Sequence, residues 1–182
     1  LVLHASGEVE AAHAALASAL EIRPDLRSAR SALLFLLCHH PDFDGAALLA
    51  EHRRWNELYA AALTPEVAPR VAAPASGRRL RIGYVSADFR RHSLAYFIEP
   101  LFANHDRQRF DVFCYSNTRR PDEVTDCLRS YVTQWRDITT LSDEAAAQLV
   151  ARDGIDILVD LAGHTADSRL LVFARKPAPV QI

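Results

Sequence analysis

The sequence predicts an α/β fold class: a doubly wound, parallel-sheet lobe preceded by an all-α segment. Three observations carry this. Up to residue 63 apolar residues recur at helical spacing, and from residue 79 short β-rich runs alternate with helical stretches. Between them the composition changes abruptly, with Pro65, Pro69, Pro74 and Gly77 set among alanines. That is the composition of a linker. The chain therefore divides into helices over 1–63, a Pro/Ala-rich linker over 64–78 and an α/β lobe over 79–182.

In the first part, Ala12, Leu16, Ala19 and Leu20 share one face of a helix running from Gly7 to Leu20. Pro24 ends it, and Asp25 is placed to cap the next helix. The small residues Ala12 and Ala19 let a neighbouring helix approach closely, as stacked helical hairpins require. A second helix is expected from Leu26 to His39, closed by Pro41, and a third from Asp44 to Leu63.

In the second part the expected strands are Leu80–Val85, Asp111–Ser116, a weaker one near Trp135–Ile138, and Ile155–Leu161. Helices are expected over Leu94–Ala103, Asp122–Tyr131 and Asp143–Arg152, the last stopped by Gly154. Strands alternating with helices of this length form right-handed crossovers and a parallel sheet covered on both faces.

The hydrophobic fraction of 49% supports a packed core, and the net charge of -2 gives no reason to expect nucleic acid. Arg78, Arg79, Arg81, Arg90 and Arg91 are locally dense, which leaves a local anion site open. Cys38, Cys114 and Cys127 have neither metal-type nor CxxC spacing and read as reduced, half-buried thiols of a cytoplasmic protein. No run is long enough to span a membrane and no signal segment opens the chain. The sequence starts in mid-helix without an initiator Met and stops on an apolar run, so a longer parent is expected.

In a sheet of order 3-2-1-4, the loops after the first and fourth strands flank the switch-point crevice where ligands bind. Those loops are Ser86–Ser93 and Ala162–Asp167, and each carries a histidine and an aspartate. Asp88 has two readings, as a ligand for loop amides or as a partner in proton transfer. His92 is a surface histidine or a titrating group near neutrality. Ser93 is expected to cap the helix that starts at Leu94, and Arg90 and Arg91 to be solvated or ion-paired. Gly163 permits a tight turn, while His164 either packs over the strand end or lines the crevice. Trp55 and Trp135 read as packing residues. The histidines do not cluster as metal ligands do, so no metal is expected. The first loop lacks a G-x-G-x-x-G turn, a Walker lysine or a G-x-S-x-G elbow, which excludes the chemistry those motifs serve.

Four ordered segments carry a resemblance. The run LRIGYVSADFRRH from Leu80 to His92 resembles the opening strand and loop of the catalytic region in the O-GlcNAc transferase/SPINDLY family. Phe110–Tyr115, Gly154–Asp160 with Gly163–Thr165, and Phe173–Gln181 are similar to later segments in the same order. Gly7–Pro24 is similar to the second half of a tetratricopeptide repeat. Ser31–Phe35 and Glu51–Trp55 resemble the helices that join repeats to catalytic region in bacterial members.

The resemblance implies the first Rossmann-like lobe of a two-lobed, GT-B glycosyltransferase, with the second lobe beginning after Ile182. It implies inverting, metal-independent transfer of GlcNAc from UDP-GlcNAc to Ser or Thr of acceptor proteins bound along the repeats, with no cofactor. On this match Asp88 and His92 are the catalytic positions, His92 orienting or deprotonating the acceptor hydroxyl and Asp88 holding that histidine or relaying the proton. Ser93, Gly163, His164 and Thr165 would bind substrate. The segment His92-Ser93-Leu94 departs from the His-Pro pattern of O-GlcNAc transferases, and Ala95–Glu99 is closer to the SPINDLY branch. GDP-fucose is therefore the alternative donor, and a non-catalytic repeat-bearing scaffold the alternative role.

Overall fold

The computed structural model describes residues 6–65 and 77–182. Residues 66–76, most of the expected linker, lie outside the described residues. The chain forms two compact units, Leu1–Leu63 with His164–Ala166, and Thr64–Gly163 with Asp167–Ile182.

The helical unit contains α1 (Val9–Ile22), α2 (Arg27–Leu37) and α3 (Gly45–Trp55), followed by a π-helical turn at Asn56–Ala60 and a 3-10 turn at Ala61–Leu63. The third helix is thus shorter than the uniform one expected up to Leu63. Ala12, Leu20, Ala29, Leu33, Leu36 and Leu37 form the core, with Leu16 and Leu48 packed against it. Small side chains at Ala12 and Ala29 let α1 and α2 pack closely. Asp44 caps α3, its Oδ1 accepting the Ala47 N–H at 2.8 Å. Asp25 does not cap α2: Leu26 occupies that position, with no side-chain cap.

The second unit is a five-stranded parallel sheet of order β3-β2-β1-β4-β5. Its elements are β1 (Leu80–Ser86), α4 (Ser93–Ala103), β2 (Phe110–Ser116), α5 (Glu123–Ser130), β3 (Gln134–Asp137), α6 (Asp143–Arg152), β4 (Ile157–Asp160), α7 (Leu170–Ala174) and β5 (Val180–Gln181). Alternation along the strands builds a core on each face. Ile82, Tyr84, Val112 and Cys114 meet Ile98, Phe102 and Leu128 from α4 and α5. Val85, Phe113, Tyr115 and Leu158 meet Ala146, Ala147 and Val150 from α6 and Val172 from α7. Helices on both faces of an all-parallel sheet are the doubly wound arrangement, the Rossmann-like lobe expected.

Gly83 explains the glycine inside β1. A Cβ there would lie 2.9 Å from Tyr115 Cε2 and 3.0 Å from Leu158 Cδ1, so the large ring on β2 requires a bare backbone opposite it. Gly154 ends α6 with φ +62°, a conformation glycine adopts without strain. Cys127 is half-buried, but Cys114 is fully buried and Cys38 exposed, so the expectation of half-buried thiols holds for one of three. Among the described residues no helix is long and apolar enough to cross a membrane.

Candidate functional site at the carboxyl ends of the strands

Strands β1 and β4 are neighbours in parallel register, with Val85 opposite Asp160. The Leu161 N–H donates to the Val85 carbonyl at 3.1 Å. The loops that follow therefore leave the same end of the sheet side by side, at the point where the chain reverses its winding.

The loop after β1 is held from below and from both flanks. Phe89 is fully buried among Phe102 and Trp135, and its carbonyl accepts the Thr125 hydroxyl at 2.7 Å. Buried Ser86 accepts the Asp88 N–H at 2.9 Å through its Oγ, and its carbonyl accepts the Asn117 N–H at 2.8 Å. The Arg91 N–H donates to Asp122 and its guanidinium pairs with Glu123. Arg90 pairs with Asp88 at 2.8 Å. Both arginines are thus ion-paired, as expected.

Two expectations about this loop are corrected. Ser93 is not the cap. The helix begins at Ser93 itself, and His92 holds the capping position, its Nδ1 accepting the Leu94 N–H at 3.2 Å. Asp88 does not hold His92. Its carboxylate turns to Arg90, a residue with the opposite charge two positions away, whereas His92 is engaged by the first turn of α4. The cap fixes the tautomer of a neutral ring: Nδ1 accepts, so the proton sits on Nε2, which becomes a donor.

After β4, Asp160 organises the turn. Its carboxylate accepts the N–H groups of Ala162 at 3.3 Å and Gly163 at 2.6 Å. Burial pushes its pKa up, and the N–H groups of Gly163, Ala162 and Leu161 oppose that rise. Gly163 has φ +56°, so the turn needs glycine there. Further on, the Asp167 carbonyl accepts the Asn117 side-chain amide at 2.8 Å and its carboxylate pairs with Arg119. The loops after β1, β2 and β4 are tied to one another through Asn117.

His164 and Thr165 do not belong to the sheet unit; they pack with the helices. The His164 ring lies 5.0 Å from the Trp55 ring and 5.1 Å from that of His52, and its Nδ1 is 3.3 Å from the Ser31 hydroxyl. Trp55 donates to the same hydroxyl at 3.0 Å. Thr165 is half-buried. Trp55 and Trp135 both act as packing residues, as expected.

The His164 pKa is pushed down to about 4, first by burial and then by His52. The folded form therefore resists a proton that the unfolded chain accepts near pH 6.5. This contribution to stability is complete above that pH and lost as pH falls towards 4. Because the ring is only half-buried, solvent screening limits it to about 1–2 kcal/mol. Thermal unfolding should show a midpoint that drops between pH 6.5 and 4.5, with a smaller drop in His164→Phe. An equal drop in that variant would remove His164 as its source.

His52 falls inside the segment Glu51–Trp55 but was not singled out as a site residue. Its Nδ1 lies 2.8 Å from the Leu48 carbonyl, to which it donates, so Nε2 keeps its lone pair. Only the fold, which sets it against His164, marks it.

Among the described residues one cluster has ligand-like spacing: Glu10, His40 and Asp42 in the helical unit. His40 Nδ1 accepts the Asp42 N–H at 3.2 Å and its Nε2 faces Glu10 at 3.1 Å. Both ring nitrogens are engaged, and neither offers a metal a free lone pair.

Comparison with known proteins adds the following. Residues 64–182 match the model of glycosyl transferase family 41. A rice protein described as a probable UDP-N-acetylglucosamine–peptide N-acetylglucosaminyltransferase SPINDLY is 36% identical over 167 residues, 90% of this chain and 18% of its own length. A Caenorhabditis elegans UDP-N-acetylglucosamine–peptide N-acetylglucosaminyltransferase is 36% identical over 111 residues, covering 59% of this chain. A solved structure of a mutant Thermobaculum terrenum O-GlcNAc transferase superposes with a TM-score of 0.94 at 47% identity, covering 99% of this chain and 34% of that one. The chain spans less than a fifth of the length of the rice relative.

Proposed function

Because the chain belongs to glycosyl transferase family 41, we propose that it is part of a protein O-glycosyltransferase that moves GlcNAc from UDP-GlcNAc to Ser or Thr hydroxyls. The observation that carries this reading is the loop after β1. It is braced on three sides and presents the imidazole of His92 at the end of the sheet where such folds bind ligands. Relatives named for a UDP-GlcNAc donor and a peptide acceptor supply the substrate class.

In the proposed reaction the acceptor oxygen forms a bond to the anomeric carbon. The bond from that carbon to the diphosphate breaks, UDP departs, and the hydroxyl proton passes to a base. With Nε2–H as its outward nitrogen, His92 orients an oxygen lone pair, a donor's task. Asp88 is a positioning residue that fixes the loop through Arg90, Ser93 opens α4 beside His92, and Gly163 shapes the second loop through its bond to Asp160. His164 and Thr165, the other substrate-binding candidates, belong to the helical unit.

No metal or cofactor takes part in this reading. Asp88 is engaged by Arg90 and Asp160 by backbone N–H groups, so the carboxylates at the sheet end already have partners. We also read α1 as the second half of a tetratricopeptide-type repeat in a region that carries acceptor proteins, and α2 as a connecting helix packed on it beside the small residues Ala12 and Ala29. Three free thiols suit a reducing, cytoplasmic setting.

The test uses the full-length protein with UDP-GlcNAc, UDP-glucose and GDP-fucose on a peptide library, read by product mass. Peptides should gain one N-acetylhexosamine from UDP-GlcNAc alone. Transfer only from GDP-fucose would replace the donor, and no transfer from any donor would leave a binding scaffold.

A further inference from the structure

We infer that Ser31 is a positioning residue for His164: its hydroxyl donates to Nδ1 and so fixes the tautomer whose Nε2–H is offered to a substrate oxygen. The tautomer follows from the contacts alone, and its use in binding rests on the transferase reading above.

Two side chains share the Ser31 hydroxyl, which is half-buried on α2. The Trp55 indole nitrogen, at the end of α3, lies 3.0 Å from Oγ, and His164 Nδ1 lies 3.3 Å from it. All three residues belong to the helical unit. An indole nitrogen only donates, so Trp55 takes one lone pair of the serine oxygen. The hydroxyl hydrogen remains to be placed. Serine inside a helix often returns it to the carbonyl four residues back. Ser31 does not: among the described residues its hydroxyl bonds only Trp55 and His164. If Nδ1 carried a proton, both neighbours would donate to the oxygen and the hydroxyl hydrogen would have no acceptor. With Nδ1 bare, every group is satisfied, and the ring proton sits on Nε2.

Nε2 has no hydrogen-bond partner among the described residues, so the proton fixed there is free for a ligand. The Trp55 and His52 rings, edge-on at 5.0 and 5.1 Å, hold the plane of the imidazole. Its pKa, pushed down to about 4, keeps the ring neutral in the working pH range. A neutral N–H donor suits a hydroxyl, carbonyl or phosphate oxygen and gives nothing to a cation. An unfixed neutral imidazole divides its proton between two nitrogens, and the wrong tautomer turns a lone pair towards the same oxygen. Binding then weakens by the fraction of rings in the right form. The segments Ser31–Phe35 and Glu51–Trp55, otherwise without a role in the reaction, thus meet at one oxygen.

The test uses the full-length protein with isotope-labelled histidine, read by nitrogen NMR at neutral pH. The His164 signals are those lost in His164→Phe. In wild type, Nδ1 should resonate as an unprotonated nitrogen and Nε2 as a protonated one. Ser31→Ala should move both towards the averaged positions of a ring exchanging between tautomers, and Ser31→Thr, which keeps a hydroxyl, should restore them. A wild-type ring protonated on Nδ1, or a Ser31→Ala spectrum like wild type, overturns the inference. In steady-state transfer, Ser31→Ala should raise one KM by about fivefold, the effect of one neutral hydrogen bond, with kcat little changed. A rise in the peptide KM places the oxygen on the acceptor, and a rise in the UDP-GlcNAc KM places it on the donor. Neither KM moving in an active Ser31→Ala protein removes Ser31 from substrate positioning. In the His164→Phe background Ser31→Ala should add nothing, because serine acts through that ring. An equal further loss there would make Ser31 a packing residue only. If wild type transfers sugar to no peptide while the spectra behave as expected, the transferase reading fails and the tautomer stands.

Discussion

Replacing His92 with alanine in the full-length protein is expected to lower kcat for transfer by roughly 100-fold or more, the range for losing a positioned imidazole. The same substitution should cost stability, because the side chain has two jobs. Nδ1 caps α4, and Nε2 faces outward as a donor. Losing a cap to alanine costs about 1 kcal/mol. His92→Asn separates the two effects. Asparagine is a preferred cap, and its side-chain oxygen accepts the same N–H while the imidazole is gone. The asparagine variant should keep the wild-type Tm and still lose roughly 100-fold in kcat. Recovered turnover in that variant would reduce His92 to a structural cap and remove it from the reaction.

The parts of the fold most legible in the sequence are those where packing follows a period. Leu80–Ser86 and Phe110–Ser116 alternate between two buried faces, and apolar alternation is visible without coordinates. With strands and helices in this order, the neighbourhood of β1 and β4 follows from handedness and winding, and so does the meeting of their loops. The five residues of α7 and the two of β5 were not legible, since neither is long enough to display a period. Capping misled at Ser93: residue preference favours serine over histidine, but preference does not say at which residue the helix starts.

Partnerships within the loops were harder still. Asp88 and Arg90 are two residues apart and pair, while Asp88 and His92 are four apart and do not. Only the backbone path, with His92 already in an extended capping conformation, decides between them. His164 is the extreme case, because its partners Trp55, His52 and Ser31 are far away in sequence. No periodicity encodes such a contact.

Asp153→Ala should be the most damaging single change to the stability of the sheet unit, costing about 2–3 kcal/mol. Asp153 caps the end of α6, and its side chain reaches two strands at once. Oδ2 accepts the Tyr115 hydroxyl at 2.9 Å and Arg136 Nε at 3.1 Å, while Oδ1 accepts Arg136 Nη2 at 2.9 Å. Its carbonyl accepts Arg81 Nη1 at 2.8 Å, which brings in β1 as well. Alanine leaves a phenol on a fully buried ring and a guanidinium without their acceptor, and an unpartnered buried group carries its whole desolvation cost. Arg136 is partly exposed, which places the loss at the low end for a broken buried pair. Burial, followed by the Asp153 charge, pushes the Tyr115 pKa well up, so the phenol stays protonated and remains a donor throughout the working pH range. Tyr115→Phe removes one hydrogen bond and leaves the arginine pair intact, so it should cost only about 1 kcal/mol. In the double variant the losses should not add, because the phenol no longer needs what the carboxylate supplied. Urea unfolding of the four proteins measures the cycle. Strict additivity would mean that Tyr115 and Asp153 do not interact.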